Sequence, residues 1–183
     1  MRSFIFLMLC LLLFAFLPVN GQKHLDIANS FVGVTELTNN NDGAEVEMFQ
    51  KSVNLKKGNA WCGAFVGYCL NTANVVNPKT RSGLARNYKH KNSIKANDVL
   101  IGKTKVPNGS LVIWEKGTTI FGHVGFVANW EKHHGTTIEG NTSSGRSGSQ
   151  SDGDGVYRRY RTIMPANYFR ITSFTIVSYE KAT

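Results

Sequence analysis

The sequence predicts an α+β domain, helical in its first half and built of antiparallel strands in its second. Two observations carry this. Up to Ala73 the apolar residues recur at helical spacing, whereas beyond Asp98 segments rich in β-branched and aromatic residues alternate with polar turns. No helical stretch separates those later strands, which argues against a doubly wound parallel sheet. No internal repeat and no second domain stand out.

The chain opens on Met1-Arg2-Ser3, followed by fourteen apolar residues, Phe4 to Leu17, and then "PVNG". A basic start, a short apolar run and small residues at Val19 and Gly21 read as a secretory signal peptide cut after Gly21. The run is shorter than the roughly 20 residues a membrane span needs. Cys10 follows Leu9 rather than a small residue, which argues against a lipid-anchored cysteine. Cleavage leaves 162 of the 183 residues, enough for one domain, residues 22–183. The expected location is outside the cytoplasm, periplasmic or secreted, without stable insertion in a membrane.

Next come the helices. "HLDIANSFVGV" (His24 to Val34) places Leu25, Ile27, Ala28, Phe31 and Val32 on one face, and "AEVEMFQKSV" (Ala44 to Val53) is a second amphipathic helix. Ala60 to Ala73 forms a third, with Asn59 as its expected N-cap and Cys62, Phe65, Val66, Cys69 and Leu70 on the buried face. A short helix near Leu84 to Tyr88 interrupts a polar stretch. Five strands follow: Ser110 to Glu115, Phe121 to Trp130, Gly135 to Asn141, Gly155 to Thr162 and Phe169 to Tyr179. A Gly/Ser-rich loop, Thr142 to Gly155, joins the third strand to the fourth.

The full chain carries 21 basic and 12 acidic residues, a net charge of +9 that falls to +8 when Arg2 leaves with the signal. A basic exported domain suits an anionic polymer. The basic residues are scattered, as a solvated surface is, with no basic helix face and no zinc-finger or other nucleic-acid motif, so nucleic acid is not the expected partner.

After cleavage only Cys62 and Cys69 remain. Within one helix they lie about 10 Å apart at 1.5 Å per residue, beyond the roughly 7 Å that a disulfide spans. Either one is a free thiol kept for chemistry, or both are ordinary buried cysteines. Cys62 sits in the first helical turn, where the dipole and unsatisfied N–H groups favour a thiolate. A nucleophilic thiol needs a base, and histidine titrates in the right range. Of His24, His90, His123, His133 and His134, only His123 looks held in place, inside an apolar strand between Gly122 and Gly125. Glu139 and Asn141 share one face of the next strand. With the hairpin centred near Lys132, Asn141 lies opposite His123 and Glu139 one same-face step along, so either is a candidate to orient the imidazole.

"NAWCGAFVGYCL", "GHVGFV" and "IEGNT" together resemble the CHAP family (cysteine- and histidine-dependent amidohydrolases/peptidases) within the papain-like NlpC-type superfamily. The resemblance runs from "FVGVTEL" to "DGVYRR". It implies a papain-like α+β fold and cleavage of peptidoglycan amide bonds, either as an N-acetylmuramoyl-L-alanine amidase or as a stem or cross-bridge endopeptidase. It further implies Cys62 as nucleophile, His123 as base, Glu139 as orienting acceptor and Asn141 as a further active-site polar residue. Two family positions differ: Trp61 and Ala64 stand where many members have glutamine and aspartate. The expected chemistry is acyl transfer through a thioester, with the Cys62 N–H as one oxyanion donor. Asn59 is the nearest side-chain candidate for a second donor, and Trp61 lines the cleft or anchors the core.

No cofactor is expected. "SDGDG" (Ser151 to Gly155) lacks the length and closing glutamate of a calcium loop, and His133-His134 lacks the spacing and partner pair of a zinc site. "GRSGSQSDGDG" lacks the context of a phosphate loop. A monomer acting on peptidoglycan is the expectation. An acyltransferase or transglutaminase on the same scaffold, or a wall-binding module without catalysis, are the alternatives.

Overall fold

The computed structural model describes residues 22–145, 153–163 and 169–179. The expected signal segment and half of the Gly/Ser-rich loop lie outside the described residues. Three helices come first: α1 (Lys23–Ser30), α2 (Ala44–Ser52) and α3 (Cys62–Thr72). A single 3-10 turn (Ala85–Tyr88) leads to β1 (Ile94–Lys95) and a short α4 (Ala96–Leu100). The remaining strands are β2 (Leu111–Lys116), β3 (Gly122–Glu131), β4 (His134–Thr142), β5 (Gly155–Thr162) and β6 (Phe169–Thr175). All pairings are antiparallel, in the order β1-β6-β2-β3-β4-β5. This is the expected α+β arrangement, with a sixth strand and a fourth helix added. Two residues of strand and five of helix are too short for any periodicity to register.

Each helix is shorter than its apolar pattern suggested. α1 stops at Ser30, and Phe31 to Gly33 form a turn whose Gly33 adopts φ 98°. β6 ends at Thr175, and only Ser178 pairs again, with Asn77. In both places apolar side chains continue inward after the regular backbone has stopped.

The sheet has apolar residues on both faces. Leu111, Ile113, Val124, Phe126, Ile138 and Val156 pack with the helices, whereas Val112, Trp114, Val127, Trp130, Ile171 and Phe174 form a second cluster with Ala96 and Val99 of α4. Phe49 is the hinge of the first cluster, with its ring 4.9 Å from Phe31, 5.3 Å from Phe65 and 5.8 Å from Trp61. Helix α3 touches α1, α2, β3 and β4, so it is buried beyond the single face expected: Gly63, Ala64 and Gly67 are buried too. Gly63 is required there, because a Cβ would come within 2.5 Å of the Gly83 carbonyl. That close approach brings the loop before the 3-10 turn against the start of α3.

His24 is fixed more firmly than the sequence suggested. It is buried, its Nε2 donates to the Gly109 carbonyl at 2.9 Å, and its Nδ1 accepts from Tyr179 Oη at 2.8 Å. His90 also has a partner, Thr80 Oγ1 at 3.0 Å. Burial pushes the His24 pKa below its ordinary value, against the Gly109 hydrogen bond and Asp26, which raise it. Above about pH 6.5 the ring is neutral in both folded and unfolded chains. As pH falls through that value the unfolded chain takes the proton first, and the fold loses stability. The wild type is therefore expected to lose about 2–5 °C more than His24→Gln between pH 7.5 and 5.5 in thermal melts. Parallel losses in the two proteins would assign the acid sensitivity elsewhere.

Candidate active site

Helix α3 begins at Cys62, not Ala60, and Trp61 rather than Asn59 occupies the N-cap position. The Asn59 side chain instead donates to the Lys56 carbonyl at 2.9 Å, and the residue is exposed. The polar contact at this end comes from across the fold: Asn141 Oδ1 accepts the Trp61 N–H at 2.9 Å. Asn141 is anchored by Nδ2 donating to the Gly153 carbonyl at 2.7 Å, with Asn41 Oδ1 and Glu36 Oε1 beyond at 3.3 Å and 3.5 Å. It adopts φ 53°, a left-handed conformation that asparagine tolerates better than most residues. Trp61 is wholly buried and its indole donates to Glu36 Oε1 at 2.8 Å. It is a core anchor and lines no open cleft.

Cys62 is 7% exposed and His123 4% exposed. The thiol interacts with the imidazole and with the backbone N–H groups of Val124 and Gly63. On the other side of the ring, His123 Nε2 meets Glu139 Oε2 at 2.9 Å, which leaves Nδ1 for the thiol. Glu139 is fully buried, and three further bonds hold it. Thr137 Oγ1 donates to Oε1 at 2.5 Å, Arg161 Nε to Oε1 at 2.7 Å, and Arg161 Nη2 to Oε2 at 2.5 Å. Arg161 lies 5.5 Å from the centroid of the Trp114 ring, and that ring is 5.2 Å from His123. Thiol, imidazole, carboxylate and guanidinium thus form one connected line.

Strand register explains the alignment. Phe126 pairs with Ile138 and Val127 with Thr137, the register of a hairpin centred on Lys132. A bulge at Ala128 shifts the pairing by one toward the turn, and β4 loses its regular pairing with β5 between Glu139 and Thr142. Asn141 therefore turns away to Trp61, and Glu139 alone meets His123. Gly125 leaves the room this needs, since a Cβ there would sit 2.6 Å from Glu139 Cγ and 2.9 Å from the Ile138 carbonyl. Gly125→Ala is expected to lower stability by about 1–3 kcal/mol in urea denaturation and to displace the Glu139 side chain. An unchanged midpoint would mean that β3 and β4 separate freely here.

The charges of the line are set mutually. Burial pushes the Cys62 thiol up, but its hydrogen bond to His123, the imidazolium charge and the two backbone N–H groups outweigh this and bring it below the ordinary thiol value. Burial alone lowers the pKa of His123, and Cys62 and Glu139 together raise it to about 9. Burial opposes the Glu139 charge as well, yet Arg161 and His123 hold its carboxyl well below the usual carboxylate range. Cys69 has no such neighbours, and burial pushes its thiol well above 9.0. Both cysteines are free. A lowered thiol facing a protonated imidazole, oriented by a buried carboxylate, is the arrangement that makes sulfur a nucleophile near neutrality.

Of the residues singled out in the sequence, Cys62, His123 and Glu139 come together. Asn141 holds the start of α3 without touching His123, and Asn59 and Trp61 stand apart from the reacting groups. Arg161, Thr137, Tyr88 and Glu36 were missed. Arg161 looked like one more scattered surface charge, yet its side chain is only 13% exposed. It pairs across from Gly135 on β4, and its guanidinium reaches Glu139 on the same strand. Tyr88 Oη donates to the Gly63 carbonyl at 2.8 Å and braces the first turn of α3. Among the described residues there is no group of three or more His, Cys, Asp or Glu able to hold a metal, and no helix long and apolar enough to cross a membrane.

The fold and site define an α+β domain with a buried thiol–imidazole–carboxylate line at the junction of a helix and an antiparallel sheet. Residues 54–141 match the family model described as CHAP domain. The matched stretch contains Cys62, His123 and Glu139 and ends on Asn141, while Arg161 falls beyond it. CHAP domains are amidases and peptidases, hydrolases whose substrate is peptidoglycan. Searches of the curated proteins and of the solved structures find no match.

Proposed function

We propose that the protein is an exported cysteine hydrolase that cleaves an amide bond of peptidoglycan, with Cys62 as nucleophile, His123 as base and Glu139 as the residue that orients it. The observation that supports this most is the line joining the thiol to the imidazole and the imidazole to a carboxylate at 2.9 Å, in a setting that lowers the thiol pKa and raises the imidazole pKa. The Cys62 thiolate attacks the amide carbonyl carbon and forms a tetrahedral oxyanion, which the Cys62 backbone N–H at the helix start stabilises. Collapse breaks the C–N bond, His123 protonates the departing amine, and a thioester remains. Water then gives a proton to His123 and attacks the thioester, releasing a carboxylic acid and restoring the thiol.

Two exposed apolar side chains lie close in sequence to residues of the site. Phe121 lies two residues before His123, and Leu84 adjoins Gly83, whose carbonyl faces Gly63. The Phe4–Leu17 run supports export before action on the wall. The test is digestion of purified peptidoglycan by wild type and Cys62→Ala, with the released fragments identified by mass spectrometry. New amine and carboxyl termini with the wild type alone are expected, and equal release by both proteins would overturn the assignment of Cys62. The cut bond, read from the fragment masses, separates the amidase from the endopeptidase.

A further inference from the structure

Arg161 stands outside the stretch that matches the family model, yet it is bonded into the centre of the reacting line. Its Nε and Nη2 each donate to one carboxylate oxygen of Glu139, at 2.7 Å and 2.5 Å, and Nη2 also reaches Thr142 Oγ1 at 3.2 Å. The oxygen that accepts from Nη2 is the one that meets His123 Nε2 at 2.9 Å. Imidazole and guanidinium therefore compete for one oxygen of one carboxylate. The Trp114 ring lies near both, 5.5 Å from the guanidinium carbon and 5.2 Å from the imidazole. Glu139 is wholly buried, so water does not screen the competition.

A carboxylate facing His123 alone would bind the imidazolium proton too tightly. In the reaction that proton must pass to the departing amine, and a weaker acid delivers it more slowly. A bidentate guanidinium draws carboxylate charge toward itself. Against the burial that opposes its charge, Arg161 is the largest influence keeping Glu139 ionised, ahead of His123. The other titratable groups packed nearby are engaged elsewhere or uncharged. Cys62 on α3 is the second partner of the imidazole. Burial pushes the Tyr88 phenol of the 3-10 turn well above its ordinary pKa, so it keeps its proton. Glu115 on β2 is paired with Arg86 and Lys89, both at 2.7 Å. On β5, Tyr157 donates to Asp154 at 3.4 Å, and the Arg159 guanidinium lies beside Gly145.

We propose that Arg161 is a positioning residue of the reaction: by gripping both oxygens of Glu139 it takes part of the carboxylate charge away from His123, so that the imidazolium stays acidic enough to protonate the departing amine. The use assigned to Arg161 rests on the proposed roles of Cys62 and His123. Its effect on His123 is measurable without substrate.

The test follows the titration of His123 by NMR of its ring C–H signals in the Cys62→Ala protein, with the signals assigned by their absence after His123→Asn. The measurement is repeated with Arg161→Gln and with Arg161→Lys added. Taking away a neighbouring positive charge favours the imidazolium, so the midpoint should rise by about 0.5–1 pH with glutamine. It should rise by about 0.3 pH with lysine, whose ammonium lacks the fork that grips both oxygens. With Cys62 present, peptidoglycan hydrolysis should fall about tenfold with glutamine and about threefold or less with lysine, and its alkaline limb should move to higher pH. The direction separates this role from mere support. If Arg161 only held Glu139 in place, its loss would free the carboxylate from His123 and the midpoint would fall, as for Glu139→Gln. A midpoint that falls or stays overturns the proposal, and should the glutamine variant unfold, the lysine variant decides by the same criterion. Hydrolysis by the wild type with an unmoved midpoint would remove the role of Arg161 and leave the reaction standing. A raised midpoint without hydrolysis by the wild type would overturn the reaction, and the use assigned to Arg161 with it.

Discussion

Cys62→Ala is expected to lower peptidoglycan hydrolysis by about 1,000-fold or more while leaving the fold intact, because the thiol is the only group in the line able to form the thioester. Cys69→Ala is expected to do the reverse. That side chain is fully buried in the helix core, so its loss should cost about 1–2 kcal/mol in urea denaturation and leave turnover unchanged. Iodoacetamide distinguishes the two thiols directly. At neutral pH Cys62 should alkylate quickly and Cys69 not at all, since one thiol lies below its ordinary pKa and the other well above it. Slow, equal labelling of both would contradict an activated Cys62.

Glu139→Gln is the second large effect. The glutamine keeps the shape but takes away the charge that raises His123, so the imidazolium becomes less favourable and its pKa falls. The wild-type rate should hold until pH approaches about 9, where His123 loses its proton, and in the variant that alkaline limb should move to lower pH. Turnover should also fall by about 100-fold or more, as the ring loses its fixed orientation. Stability changes in the same experiment. Arg161 would be left beside a neutral amide in a largely buried site, a loss of about 3–5 kcal/mol in urea denaturation.

The pH dependence of that loss has a definite sign. Glu139 is held below its unfolded value, so its contribution is present above pH 4.5 and disappears as pH falls toward its folded pKa. His123 is raised above its unfolded value, so its contribution is complete below pH 6.5 and disappears as pH rises through about 9. The difference in stability between wild type and Glu139→Gln should therefore be largest between those limits. A variant with wild-type turnover and an unmoved alkaline limb would remove Glu139 from the mechanism.

Much of the site was legible because its pieces sit in strong local patterns. Cys62 heads an apolar helix, His123 lies in a long strand between glycines, and the hairpin around Lys132 is short enough for its register to follow from symmetry. Asn59 misled because an asparagine before an apolar run is a good local cap, yet Asn141, 80 residues from Trp61 in sequence, takes that end of the helix. Trp61 was ambiguous because its neighbour in sequence is reactive, while its own ring faces Phe49 and Glu36.

By itself the sequence determined the α+β class, the order of its main elements, the separation of the two cysteines and the candidate Cys62, His123 and Glu139. Each depends on spacing of a few residues along one helix or strand, where backbone geometry converts sequence distance into spatial distance. Only the tertiary structure decided that Glu139 rather than Asn141 meets the imidazole, that Arg161 balances the buried carboxylate, and that His24 is a fixed neutral ring. Those outcomes follow from a strand irregularity, the cross-strand pairing of β4 with β5 and burial between distant segments, and no local pattern encodes them.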